Sequence, residues 1–178
     1  MVIYLPGCSP TDLKYRSEET QLQRLSRWAN IYGDFKVAYS FRDKEGIDHF
    51  SKHKSVLECM ETEWGMKFLE KANHRQIQPV EFVIDLDNNP TLQKFNEICN
   101  LLKYSKEVFY GYFTGSKGYH IHIFNYDLLD ERYKNDIRKG LADFLDADLL
   151  KTSENVMIAM ENKPHWKTGN KKELLQYG

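Results

Sequence analysis

From residue 80 onward the apolar positions fall into a regular series of short and long periods. Residues 80–87 read as a strand. Side chains alternate across a strand, so Phe82, Ile84 and Leu86 take one face while Val83, Asp85 and Asp87 take the other. Thr91 is placed to cap a helix running to about Tyr104, with Phe95, Ile98, Cys99 and Leu102 inward. Residues 108–113 form a second strand, 114–118 a turn, and 119–125 the returning strand of a hairpin. Asp130 caps a helix through about Phe144, with Tyr133, Ile137, Leu141 and Phe144 inward. Residues 156–160 form a last strand. This is an α+β pattern, a split, RRM-like β-α-β-β-α-β unit over about residues 80–172. It predicts an antiparallel sheet with helices on one face and the other face open.

Residues 1–79 are less regular and predict a smaller αβ lobe packed on that sheet. Residues 2–5 are a short edge strand. Ser17 caps a helix on which Leu22, Leu25, Ala29 and Tyr32 recur at helical spacing, and Gly33 ends it. Phe35, Val37, Tyr39 and Phe41 alternate as in a strand, followed by a turn at Glu45–Gly46. Residues 56–72 read as one helix with Met60, Trp64, Phe68 and Leu69 inward, and 73–79 as a connector. At 178 residues, without a linker, the chain is expected to be one domain, 1–79 forming one lobe and 80–178 the other.

Charge and cysteine content narrow the chemistry. Twenty-five basic residues against 26 acidic ones leave a net charge of −1, so any nucleic-acid contact must come from local patches. Cys8, Cys59 and Cys99 are scattered, which gives neither a disulfide framework nor a zinc ribbon. His49, His53 and Cys59 match no strong zinc spacing and read as surface and core residues. No apolar run is long enough to span a membrane. A soluble, cytoplasmic protein is expected.

Three stretches carry candidate chemistry. In Glu81–Asp87, Asp85 and Asp87 project side by side from one strand face. Paired carboxylates repel unless a cation sits between them, and hard oxygen ligands suit Mg²⁺ or Mn²⁺. In the 114–118 turn, Thr114, Ser116 and Lys117 supply hydroxyls and a positive charge. Gly115 and Gly118 let the backbone approach a phosphate. His120 and His122 follow on the face that carries the aspartates. The third stretch, ENKPHWKTGNKK at 161–172, reads as a phosphate-binding loop, with Trp166 able to stack on a base.

Together these stretches resemble the archaeo-eukaryotic primase superfamily, which includes the primase small catalytic subunit and the primase-polymerases. The family's D-h-D strand is matched by Val83-Ile84-Asp85-Leu86-Asp87. Its S-G-x-[RK]-G-h-H turn is matched by Thr114-Gly115-Ser116-Lys117-Gly118-Tyr119-His120, with Thr in place of Ser. Its late P-x-S-h-H-x-K-T-G loop is matched, shortened, by Pro164-His165-Trp166-Lys167-Thr168-Gly169. The resemblance covers about residues 80–172, and the zinc-binding insertion of many cellular primase subunits is lacking.

The resemblance implies a DNA-directed nucleotidyltransferase, a primase or primase-polymerase working by a two-metal route. Asp85, Asp87 and a third carboxylate would hold two Mg²⁺ or Mn²⁺ ions, and no zinc is expected. The family position of the third acid falls on Asp148, with Asp146 and Glu161 as alternatives. Thr114, Ser116, Lys117, Gly118 and His120 would bind the incoming nucleotide triphosphate from one side, His165 and Lys167 from the other. A single-stranded DNA template, bound weakly by this chain alone, is the expected partner. A partner subunit or further domain, such as a primase large subunit or a helicase, is expected to help it. A rival reading takes His120-Ile121-His122 as the His-hydrophobe-His signature of rolling-circle initiators and relaxases, with Tyr133 as nucleophile. A third is a non-catalytic, primase-like subunit that only binds nucleic acid.

Overall fold

Strand β6, Phe82–Leu86, is buried at all five positions, so both of its faces are covered. The structure is a computed structural model and describes residues 19–78, 81–87, 91–107, 109–124, 134–151, 156–161 and 163–178. The expected strand at 2–5, the Ser17 cap, the Asp130 cap and Tyr133 lie outside the described residues.

β6 is an edge of a four-stranded antiparallel sheet with β7 (Phe109–Phe113), β8 (Tyr119–Ile123) and β10 (Glu173–Tyr177), in the order β10-β7-β8-β6. On its first face Phe82, Ile84, Leu86, Ile121 and Ile123 meet Phe95, Ile98 and Cys99 of α4 (Leu92–Tyr104) and Ala142 of α5 (Lys134–Phe144). This is the helix-covered face that alternation predicts. Thr91 caps α4 by accepting from the Lys94 amide at 3.0 Å. On α5 the inward residues are Arg138 and Ala142, while Leu141 and Phe144 face outward, contrary to the apolar periodicity. Arg138 is tolerated inside because its guanidinium donates to the Glu81 carbonyl at 2.8 Å.

The second face is not open. A second four-stranded sheet, β4-β1-β5-β9, lies over it. Its strands are β1 (Lys36–Ala38), β4 (Lys54–Ser55), β5 (His74–Gln76) and β9 (Met157–Ala159). Val83 packs on Ile77 and Ile158. Tyr110, Tyr112 and Phe124 join a core with Trp28, Phe35, Val37 and Leu69. Two expectations change with this. Residues 73–79 are not merely a connector, because they hold β5. The 156–160 strand does not complete the split unit's sheet. It pairs with β5 instead, Arg75 opposite Ile158, and β10 is the fourth strand of the β6 sheet.

The helices of the first half follow their caps. α1 (Gln21–Tyr32) begins at a capping box made by Thr20 and Gln23, later than the Ser17 start, and ends at Gly33. It buries Leu25, Trp28 and Ala29. The expected helix at 56–72 is two helices, α2 (Val56–Met60) and α3 (Glu63–Lys71). Thr62 caps the second by accepting from Gly65 N at 3.0 Å. A Cβ on Gly65 would strike the Cys59 backbone, so the residue that weakens a continuous helix is the one that lets the two pieces touch. Trp64 consequently points outward, 64% exposed. The strand expected at 35–41 breaks at Tyr39. Its second half, β2 (Ser40–Arg42), pairs with β3 (Asp48–Phe50) around the turn at Glu45–Gly46. Among the described residues no helix is long and apolar enough to cross a membrane.

Candidate active site

The β6–β8 ladder sets Asp85 opposite His120 and Val83 opposite His122. Asp85 is buried, and His120 Nε2 stands 3.4 Å from its Oδ1 without making a hydrogen bond. Asp85 Oδ1 and His120 Nδ1 are thus buried polar atoms with no hydrogen-bond partner. Burial opposes the charge on Asp85, but His120 and then Lys151 and Lys172 hold its carboxyl below the usual range. Burial, followed by Lys172, lowers His120, so its ring is neutral at pH 7. Asp87 is exposed at the end of the strand. Partial shielding of its carboxylate from water, and then the Asp85 charge, raise its pKa. An orphaned buried carboxylate oxygen beside a second, mutually repelling carboxylate is a donor set that fits a divalent cation of the Mg²⁺ or Mn²⁺ type.

The 114–118 turn closes directly on this pair. A Cβ on Gly118 would collide with Asp87 Oδ1 and would lie 2.9 Å from the Leu86 carbonyl, so only glycine allows the approach. Thr114 Oγ1 accepts from the Ser116 amide at 3.4 Å and from the Gly118 amide at 3.3 Å. Those amides therefore brace the turn, and Thr114, Ser116 and Lys117 are its residues that line the cleft.

The third stretch folds back over the turn. His165 N donates to Asn170 O at 2.7 Å, and Thr168 Oγ1 donates to Gly115 O at 2.6 Å, tying loop to turn. His165 Nδ1 accepts from Lys167 N at 3.3 Å, which leaves Nε2 as the protonated nitrogen of the neutral ring. Trp166 meets Phe50 of β3 edge-on at 5.2 Å between ring centroids. Lys167 Nζ lies 4.6 Å from the Trp166 ring centroid. Of the four lysines in this stretch only Lys167 reaches the cleft. Lys163 donates to the Glu70 carbonyl at 3.0 Å, and Lys172 is buried.

These pieces enclose a cleft of about 280 Å³. Asp85, Asp87, Thr114, Ser116, Lys117, His120, His165 and Lys167 all line it, together with Trp166. Two further polar lining residues, His74 of β5 and Lys151, are absent from the set that the sequence suggests. No local pattern marks either, because both arrive through the second sheet and the turn after α5.

The three candidate third carboxylates separate cleanly. Asp146 is exposed, at φ 51°, and pairs with Lys94 at 3.2 Å. Glu161 is buried against Arg75 and Lys172. Asp148 alone adjoins the acid pair. Its amide donates to the Asp85 carbonyl at 2.8 Å, and its charge adds to the upward shift of Asp87. Its Oδ1 accepts from Leu150 N at 2.8 Å, and it does not line the cleft.

His122 belongs to a different arrangement. Its Nδ1 bonds Glu81 and its Nε2 lies 2.8 Å from Lys172 Nζ, so neither nitrogen faces the cleft. Burial, then Lys172, lowers its pKa to about 4. Ligand atoms of Glu81, His122 and Glu161 lie within 4.8 Å of one another, close enough to hold a cation. Arg75 already bridges them, at 2.7 Å from Glu81 and 2.9 Å from Glu161, and Lys172 adds a second positive charge. Two buried carboxylates are balanced by two buried cations, which makes this a structural network. The relaxase reading needs both histidines on one metal, and this arrangement divides them.

Comparison with known proteins adds likeness of fold. No family model and no curated protein matches the sequence. Solved structures similar to this chain include two of DNA-acting enzymes. One is the polymerase domain of Mycobacterium tuberculosis Ligase D in complex with DNA, at TM-score 0.58 and 13% identity, over 79% of this chain and 73% of that one. The other is the primase RepB′, at TM-score 0.55 and 14% identity, over 88% of this chain and 56% of that one. The chain thus spans little more than half the length of RepB′.

Proposed function

We propose that this chain is a template-directed nucleotidyltransferase of the primase-polymerase kind, a member of the archaeo-eukaryotic primase superfamily that adds nucleotides to a strand paired with single-stranded DNA. The observation that carries the reading is the convergence of three sequence-distant stretches on one cleft, which brings two acids together with basic and hydroxyl groups. The fold shared with a ligase polymerase domain and with a primase supports it.

Asp85 and Asp87, with Asp148 as the third acid, would hold two Mg²⁺ or Mn²⁺ ions, which would neutralise phosphate charge and make the primer 3′-hydroxyl more acidic. The chain's own groups do the rest. Lys117 and Ser116 from the turn, and Lys167 and the His165 Nε2–H from the loop, bind triphosphate oxygens from opposite sides. Thr114 shapes the turn, Gly118 lets it reach Asp87, and His120 offers a neutral ring between Asp85 and the phosphates. Trp166 and Phe50 give base faces a stacking surface at the cleft mouth. Holding both reactants here turns a bimolecular step into a local one.

The test is incubation with a single-stranded template, Mn²⁺ and labelled nucleotides, with and without a primer. Strand extension lost in Asp85→Asn supports the proposal. A covalent protein–DNA adduct would revive the relaxase reading, and nucleic-acid binding without extension the non-catalytic one.

A further inference from the structure

His74 lies on the cleft wall supplied by β5, away from the acid pair's strand, and the proposed chemistry gives it no task. Its protonation is fixed by its neighbour. The Asn73 amide is clamped to the β2 backbone, with Ser40 N donating to its Oδ1 at 2.9 Å and its Nδ2 donating to Ser40 O at 2.6 Å. Flipping that amide would set donor against donor and acceptor against acceptor, so Oδ1 is an acceptor. It lies 2.7 Å from His74 Nδ1, which must therefore carry the ring proton. Burial, then Lys151, keeps the ring neutral, lowering it to about 4. Nε2 is thus left with a bare lone pair, and no described residue hydrogen-bonds it.

A lone pair in a cleft of this kind discriminates sharply. Phosphate oxygens carry lone pairs of their own and are repelled. The hard cation expected here is served by carboxylates. The partner that suits Nε2 is a neutral donor, and the donor common to nucleotides of every base is a sugar hydroxyl. We infer that His74 accepts a hydrogen bond from a hydroxyl of the bound nucleotide's sugar and so makes the cleft selective for nucleotides that carry it. The inference rests on the nucleotide-cleft reading above. A site with a dedicated acceptor rejects an analogue lacking the hydroxyl, because a bound nucleotide shields the half-buried acceptor from water and then leaves it unpaired.

Calorimetric titration of the whole chain in Mn²⁺ with ATP, 2′-deoxy-ATP and 2′,3′-dideoxy-ATP tests this. Wild type should bind ATP about tenfold more tightly than the dideoxy analogue, the value expected for one hydrogen bond to an acceptor shielded from water by the bound nucleotide. The deoxy arm tells the 2′ from the 3′ hydroxyl. His74→Phe should bring ATP down to the dideoxy affinity and leave the dideoxy affinity within about twofold. His74→Gln, which keeps an acceptor, should retain part of the preference and guards against misfolding of the phenylalanine variant. Equal weakening of all three ligands by both variants would make His74 structural and overturn the inference. Wild-type binding without sugar preference would overturn it while leaving the cleft reading intact. Failure of wild type to bind any triphosphate would end both.

Discussion

Asp85 and His120 are cross-strand partners on the β6–β8 ladder, with the imidazole Nε2 3.4 Å from a carboxylate oxygen that has no hydrogen-bond partner. Strand register thus puts a charged acid and a neutral base on the same cleft wall.

That arrangement makes a metal prediction with two readouts. Asp85→Asn and Asp87→Asn should each abolish primer extension. Burial and then Asp85 push Asp87 up, so its charge is unfavourable in the free protein. Asp87→Asn should therefore match or exceed wild type in melting temperature without metal, while losing the upward shift that Mn²⁺ gives wild type. An equal Mn²⁺ shift in both proteins would remove Asp87 from the metal site.

The triphosphate contacts can be weighed against a control on the same strand. His165→Ala should weaken nucleotide binding by about 1.5–3 kcal/mol, as for a lost hydrogen bond to a charged group, and Lys117→Ala should weaken it too. His122→Ala should instead lower stability, because its ring pairs with Glu81 and Lys172. Titration calorimetry and urea unfolding on each variant separate the two effects. A larger binding loss from His122→Ala than from His165→Ala would contradict the division of the two histidines.

The third carboxylate is decided by a similar contrast. Asp148→Asn should reduce extension strongly at unchanged stability, and Asp146→Asn should do little. Glu161→Gln should destabilise by about 3–5 kcal/mol, since it leaves Arg75 and Lys172 short of a buried counter-charge. Denaturant midpoints measured beside extension rates check this, and loss of extension from all three with parallel loss of stability would mean a folding effect.

Buried histidines make the fold sensitive to acid. His74 and His122 fall from 6.5 to about 4 through burial, followed by Lys151 for the first and Lys172 for the second. Between those values the unfolded chain binds more protons than the folded one, so stability falls as pH drops below 6.5. Lys172, lowered to about 8 by burial, works the same way in its own window, and stability should rise from pH 8 towards its ordinary 10.5. Urea midpoints across pH measure both, and a flat profile from pH 7 to 5 would contradict the burial of the histidines.

Template binding should be weak and aromatic. Lys163 is tied to the Glu70 carbonyl and Lys172 is buried, so the cleft's positive charge rests on Lys117, Lys151 and Lys167. A dissociation constant of about micromolar or weaker for single-stranded DNA at physiological salt follows. Trp166→Ala should weaken it by a further ~1–3 kcal/mol, the worth of one stacked base. Fluorescence anisotropy at several salt concentrations tests this, and nanomolar binding with a steep salt slope would reveal a basic groove elsewhere.

The sequence by itself determined whatever depends on neighbours along the chain. The alternation that puts Asp85 and Asp87 on one strand face, the Thr91 cap, the 114–118 turn and the His165–Gly169 loop were all legible, because two- and four-residue periods and turn chemistry are local. Tertiary structure decided what covers a face and which strand pairs with which. Nothing local distinguishes β9 beside β5 from a strand completing the β6 sheet. That pairing covers the second face, buries Asp85, and brings His74 into the cleft. His120 and His122 read as equivalent in sequence, two positions apart on one face. Only the packed environment separates them, giving one to the cleft and the other to Glu81 and Lys172, because burial and long-range charge fix what a side chain does and neither is written in its own spacing.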